Sequence, residues 1–193
     1  MAMPVIPESR RYSVAEVLDF PPDGNRYEVV AGELLVTPAP TIGHQLLVSR
    51  LMGYLLEYLG PLHRRDCLYT SPADITWGQN PKDAEDLVQP DVFVVEPTQV
   101  TSTWRDVTRL ALAIEVLSPS NTRAEKVVKR GTYQRHAVGT YWVVDAAAQL
   151  VEVWHPTDHR PEMVTEVLAW RLGDDSPELR IPLADLFAPA GSR

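Results

Sequence analysis

An α/β domain with a mixed central sheet flanked by helices is the fold class this sequence predicts, and three observations predict it. Two apolar runs, Val92-Phe93-Val94-Val95 and Leu110 to Leu117, are rich in Val, Ile and Leu and read as strands buried on both faces. Leu47, Leu51, Leu55 and Leu59 recur at four-residue spacing with Tyr54 and Tyr58 alongside, the stripe of an amphipathic helix. No internal repeat or low-complexity linker interrupts the chain. Its 193 residues therefore read as one domain, with a core from about residue 12 to 187.

The elements follow in order. Ser13-Val14-Ala15-Glu16 is a capping-box pattern that opens a short helix ending before Pro21-Pro22. Tyr27 to Val30 and Leu34 to Val36 flank Ala31-Gly32 and read as a tight hairpin. The leucine-striped helix begins after Pro40 and stops at Gly60-Pro61. Cys67 to Tyr69 and Ala73 to Trp77 read as strands around the Ser71-Pro72 break, and the polar stretch Gly78 to Leu87 as a loop. A segment with Pro97 and several Thr and Ser residues separates the two strongest strands. A helix is expected from about Thr122 to His136, then strands at Tyr141 to Val144, Leu150 to Trp154 and Met163 to Leu168. Leu179 to Phe187 forms a short terminal element, and Ala188 to Arg193 is expected to fray.

Composition narrows the function. Hydrophobic content of 45% and charged content of 23% are ordinary for a soluble globular protein. The single cysteine, Cys67, excludes an internal disulfide and fits a reducing cytoplasm. Met1 to Arg11 lacks the apolar core of a signal peptide, and no stretch is apolar enough to span a bilayer. A cytoplasmic protein without a membrane partner is expected. The net charge of −8 works against nucleic-acid binding unless basic groups converge on one cleft. The clusters His63-Arg64-Arg65 and Arg123 to Arg130 are the candidates.

Asp91 stands beside one apolar strand and Glu115 within the other. A buried carboxylate costs several kcal/mol unless it is paired or holds a metal. Taken alone, a Pro-Asp step caps a turn and a strand glutamate pairs with an arginine. Two such acids together with a lysine-bearing helix suggest a divalent-metal phosphodiester-cleaving site. In that reading Asp91 and Glu115 hold Mg²⁺, or Mn²⁺, with the backbone carbonyl of Val116 adding a third oxygen. Lys129 lies one turn after Glu125 and one turn before Tyr133, so the three share a helix face. Its ammonium would stabilise hydroxide or the pentavalent transition state as a point charge. Lys126 points elsewhere in that register and is the weaker candidate.

The remaining candidates carry less. Asp74 belongs either to the edge of the site or to a solvent-facing strand. His44, at the start of a helix, suits polar capping better than phosphate contact. His155 and His159 are four apart, but Pro156 prevents the helix that would aim them at one zinc ion. Ser118 and Ser120 sit in a proline-containing turn without a Gly-x-Ser-x-Gly pattern, which argues against a serine hydrolase. No P-loop or dinucleotide fingerprint is present.

One resemblance joins these pieces. The series runs from Arg26-Tyr27-Glu28-Val29-Val30-Ala31-Gly32-Glu33-Leu34 through Thr37-Pro38-Ala39-Pro40, His44-Gln45, Ser71-Pro72-Ala73-Asp74 and Gln89-Pro90-Asp91. It continues with Glu115-Val116-Leu117-Ser118-Pro119-Ser120, Lys129, Tyr133 and Tyr141-Trp142-Val143-Val144-Asp145. In order, over about Tyr12 to Trp154, it resembles the Uma-type family of "putative restriction endonucleases", within the PD-(D/E)XK nuclease superfamily. The resemblance implies a restriction-endonuclease-like fold and Mg²⁺-dependent cleavage of DNA. Asp91 matches the PD aspartate, Glu115 the (D/E) glutamate, and Glu28 an early acid that completes the site. The superfamily lysine stands two residues after the glutamate, where this chain has Leu117; the following helix supplies Lys129 instead.

A metal-dependent DNA endonuclease is the leading expectation. A nuclease-like module that contacts DNA or protein without cutting is the alternative, favoured by the acidic charge and by Leu117. A metal phosphodiesterase acting on RNA or a nucleotide is the third. A homodimer would suit cleavage of both strands of a duplex.

Overall fold

Six strands form the central sheet in the order β3-β4-β5-β6-β7-β8, antiparallel throughout except where β5 runs parallel to β6. They are β3 (Leu68–Thr70), β4 (Val92–Val95), β5 (Leu110–Val116), β6 (Thr140–Asp145), β7 (Leu150–Trp154) and β8 (Glu162–Val164). This computed structural model describes residues 10–37, 39–77, 80, 83–101, 103–118 and 123–191. The expectations placed on residues 1–9, Pro38, Gly78, Pro119, Ser120, Thr122, Ser192 and Arg193 lie outside the described residues.

The apolar runs behave as their composition demands. Every residue of β4 is buried, and all of β5 except Ala111. A parallel pair needs a crossover, and α3 (Arg123–Arg135) provides it between β5 and β6. Helix α2 (Ile42–Leu59) buries Leu47, Val48, Leu51, Leu55 and Leu59, packing that stripe on β4 and β5. Two antiparallel ribbons complete the architecture: β1 (Arg26–Val30) with β2 (Glu33–Thr37), and β9 (Val167–Trp170) with β10 (Leu179–Pro182). Helix α1 (Val14–Leu18), closed by the expected Ser13/Glu16 box, packs on β1, and α4 (Leu183–Leu186) on β10.

The β1–β2 turn needs positive φ at both central residues, Ala31 at 50° and Gly32 at 79°. A side chain at Gly32 would also strike the Arg11 guanidinium, 2.7 Å from the position of a Cβ. The positive φ is what favours glycine there, since the Arg11 side chain can swing aside.

Several expectations are corrected. Among the described residues, Ala73 to Trp77 forms no strand and contributes the isolated bridge Ile75↔Val88. Cys67 ends a 3-10 turn, so β3 starts one residue later. Met163 to Leu168 is split: a bend at Thr165-Glu166 sends β8 to the sheet edge and β9 to its partner β10. The Leu183 N–H donates to the Glu166 carbonyl at 2.8 Å and fixes that bend. Leu179 to Phe187 divides likewise into β10 and α4. The stretch read as a polar loop buries Asp86 and Leu87, the latter bridged to Val29 of β1. Among the described residues, no helix is long and apolar enough to cross a membrane.

Candidate functional site

Register brings the two strand acids together. β4 and β5 are antiparallel with Val92 opposite Ile114, so Asp91, one residue before, stands opposite Glu115, one residue after. Both line one cavity of about 810 Å³, with Glu28, Arg26, His44 and Lys129 on its walls. The three acids are buried: Glu28 is 0%, Asp91 3% and Glu115 6% exposed.

Asp91 is fixed by its backbone before its side chain acts. The Thr70 hydroxyl and the Ser71 N–H both donate to the Asp91 carbonyl, at 2.7 and 3.3 Å. The Ser71 hydroxyl lies 3.0 and 2.8 Å from the carbonyls of Gln89 and Pro90. At the side chain, Arg26 Nη1 donates to Oδ1 at 2.7 Å. Oδ2 accepts from His44 Nε2 at 3.0 Å and from the Val116 N–H at 2.9 Å. Burial works against ionisation, but the His44 hydrogen bond and the Arg26 guanidinium prevail and hold Asp91 at about 2. An ionised carboxylate only accepts, so His44 carries its proton on Nε2.

Glu115 and Glu28 share one cation. Lys129 Nζ lies 2.8 Å from Glu115 Oε1 and 2.8 Å from Glu28 Oε2. The Tyr133 hydroxyl donates to Glu115 Oε1 at 2.7 Å, and the Gln89 N–H donates to Glu28 Oε1 at 2.8 Å. Burial pushes the Glu115 carboxyl up; Lys129 opposes this, and the charges of Glu28 and Asp91 reinforce it. Lys129 is raised despite its burial, because Glu115 and Glu28 favour the ammonium. Tyr133 is raised by burial and then by the same two acids, so it remains an O–H donor.

Thus the structure brings Asp91, Glu115, Glu28 and Lys129 to one place. Val116 presents its N–H to Asp91, a contact the sequence reading did not include. Lys126 lines the same cavity and is tied to Glu152 at 2.8 Å, while Lys129 and Tyr133 share the face turned to Glu115. Asp74 is half-buried behind the site and accepts from the Gln89 side chain at 2.7 Å.

Two corrections concern cations. His44 does not cap α2; Thr41 does, accepting the His44 N–H, and the imidazole reaches Asp91. His63, Arg64 and Arg65 do not line the cavity: Arg65 Nε donates to the Leu56 carbonyl at the end of α2. Sequence reasoning quoted Arg26 in the family series but gave it no role in the site. Its alternation with Glu28 across Tyr27, on one face of β1, is the signal that was available.

The donor set suits a hard divalent cation. Three carboxylates face the cations Arg26 and Lys129, and carboxylate oxygen is the donor Mg²⁺ takes. As they stand, these oxygens are held by Arg26, His44, Lys129, Tyr133 and backbone N–H groups. No group of three His, Cys, Asp or Glu residues forms a ready-made cage among the described residues.

The charge arrangement predicts acid sensitivity. Asp91 is joined by the buried Asp86, also held at about 2 against its burial by His136, the Ala31 N–H and Arg135. A carboxyl whose native value lies below its unfolded value stabilises the fold above the unfolded value and loses this contribution as pH falls through the native one. Each therefore contributes about 2 kcal/mol at neutral pH, lost between about pH 4 and 2. Glu115, shifted the other way, contributes with the opposite sign. Urea unfolding at pH 6 and pH 3 should show the loss, and Asp86→Asn should flatten the difference. An unchanged difference would refute it.

Comparison with protein-family models matches residues 14–184 to the model described as "Uma2: Putative restriction endonuclease". Among solved structures, the chain is similar to a "putative nuclease belonging to DUF820 from Anabaena variabilis". That match has a TM-score of 0.70 at 20% identity and covers 91% of this chain and 97% of the other, which shows a shared fold. A comparison with proteins of curated function gives no match.

Proposed function

Because this chain belongs to the Uma2 family, we propose that the cluster around Asp91 and Glu115 is the active centre of a Mg²⁺- or Mn²⁺-dependent DNA endonuclease. The observation that supports this best is the meeting of Asp91 and Glu115 across β4 and β5 in one cavity, with Lys129 hydrogen-bonded to Glu115 and ion-paired with Glu28. Asp91 and Glu115 would hold the metal, with the Val116 carbonyl and Glu28 beside them. When bound, the ion supplies an activated water and positive charge on the scissile phosphate.

The chain's own residues supply the rest. Lys129 stays an ammonium and offsets charge growing on the phosphoryl oxygens. Its two acids hold it in place, so its position requires no reorganisation during the reaction. Tyr133, unable to ionise, keeps Glu115 Oε1 oriented. His44 and Arg26 hold the Asp91 carboxylate ionised at neutral pH, and the Val116 N–H donates to its Oδ2. The buried free thiol of Cys67 suits a reducing cytoplasm, and a homodimer would place two such centres on a duplex.

Supercoiled plasmid incubated with the protein and Mg²⁺ or Mn²⁺ should be nicked, and EDTA should stop the reaction. Parallel incubation with RNA and with nucleotides separates an endodeoxyribonuclease from other phosphodiesterases. DNA left intact over a range of sequences and metals would overturn the proposal. One observation favours a non-cutting binding module instead: every acid of the centre already has a cation or donor of the chain itself. A module of that kind would show no Mn²⁺ binding dependent on Asp91.

A further inference from the structure

We infer that Arg26 occupies the metal's place on Asp91, and that a divalent cation must displace it before the centre can load. This deepens the reading of Asp91 as a metal ligand and rests on it. The two oxygens of Asp91 are held very differently. Oδ2 takes the Val116 N–H and His44 Nε2, one a backbone donor at the end of β5, the other from the first turn of α2. The Val116 N–H cannot leave without disturbing the strand end, and the His44 ring is carried on the first turn of α2. Oδ1 is held by Arg26 Nη1, at 2.7 Å.

Arg26 has one hydrogen bond to give up, although it also stands in the field of Glu115, Asp91 and Glu28. Its side chain is 20% exposed and lines the cavity, and Nη1–Asp91 is its one hydrogen bond among the described residues. Among the described residues its Nε is buried with no hydrogen-bond partner, so the present pose leaves that donor unused. Lys129, by contrast, is gripped by two carboxylates. An ion approaching Asp91 from the cavity therefore competes with the guanidinium for Oδ1. Once displaced, that planar fork faces the same cavity as the substrate phosphate, whose oxygens it can take pairwise. Metal and phosphodiester then favour each other: the ion frees Arg26, and the phosphate receives it. By linkage the effect is reciprocal.

The test follows Mn²⁺ binding to the full chain without DNA, by the paramagnetic resonance signal of the free ion. Arg26→Gln should bind Mn²⁺ at least about tenfold more tightly than wild type, since a unit charge is removed from contact distance of the ion. Arg26→Lys, which keeps the charge, should stay near wild type, and Asp91→Asn should lose binding. A second measurement needs no variant: dimethyl phosphate, a minimal phosphodiester, should tighten Mn²⁺ binding by the wild-type protein. If Asp91→Asn loses binding while Arg26→Gln matches wild type, Arg26 is no occupant and the metal reading stands. If dimethyl phosphate leaves wild-type affinity unchanged, the coupling to substrate fails. If Mn²⁺ binds none of the proteins, or binds Asp91→Asn as tightly as wild type, the metal reading fails and this inference with it.

Discussion

Glu115→Ala is expected to abolish metal-dependent nicking, by about 10³-fold or more, while the protein remains folded. A metal ligand carries several kcal/mol of transition-state stabilisation, and each 1.4 kcal/mol is about tenfold in rate. The fold should survive because the lost carboxylate is a burden to it. Burial raises the Glu115 carboxyl, so its ionised form is disfavoured in the native state. Lys129 retains Glu28, 2.8 Å away. The cost is an orphaned Tyr133 hydroxyl, about 1–3 kcal/mol, partly offset by relief of that burial. Nicking rates on supercoiled plasmid and a thermal melt of the same sample decide the matter. A variant that nicks at the wild-type rate would place the chemistry elsewhere, and one that does not fold would make Glu115 a structural residue.

Asp86→Ala should have the largest effect on stability, a loss of about 2–4 kcal/mol in urea unfolding at neutral pH. The Asp86 carboxylate is fully buried and accepts three hydrogen bonds: from the Ala31 N–H at 2.8 Å, Arg135 Nη2 at 2.6 Å and His136 Nε2 at 2.9 Å. It thereby ties the turn of the β1–β2 ribbon to the end of α3. His136 is further stacked on Trp77, ring centroids 4.1 Å apart. Arg135 is half-exposed and regains water when its partner is removed, which keeps the loss below that of a fully buried pair. Glu28 rides on the ribbon and Lys129 on the helix, so nicking should weaken along with stability. A variant with wild-type unfolding would show that the joint contributes nothing.

The acids at β4 and β5 were legible because they interrupt or border uninterrupted apolar runs, where a charge has no packing role. Lys129 and Tyr133 were legible from helical periodicity, even with Leu117 where the superfamily has its lysine. Arg26, His44 and Asp86 were not. Arg26 follows Asp23-Gly24-Asn25, a setting in which any charge reads as solvated. His44 sits three residues after a capping threonine, as a surface residue of a first turn would. Asp86 lies in a polar stretch whose burial comes from long-range contacts with Ala31 and α3. The misjudged strands share a cause: β3, β8 and the Ile75 bridge are too short for alternation to show, and their pairing is set by neighbours distant in sequence.

The acidic centre spans two separately anchored ribbons of backbone. Asp91 and Glu115 belong to the six-stranded sheet, whereas Arg26 and Glu28 arrive on a two-stranded one. Among the described residues, the backbone pairing of β1 outside its ribbon is the bridge Val29↔Leu87, to the segment that precedes β4, and the Arg26–Asp91 and Glu28–Gln89 contacts add to it. A small tilt of the hairpin would therefore retune the separation between Glu28 and Lys129 while leaving the Lys129–Glu115 pair intact. Movement of the hairpin is thus felt by two acids together, by Glu28 through Lys129 and by Asp91 through Arg26.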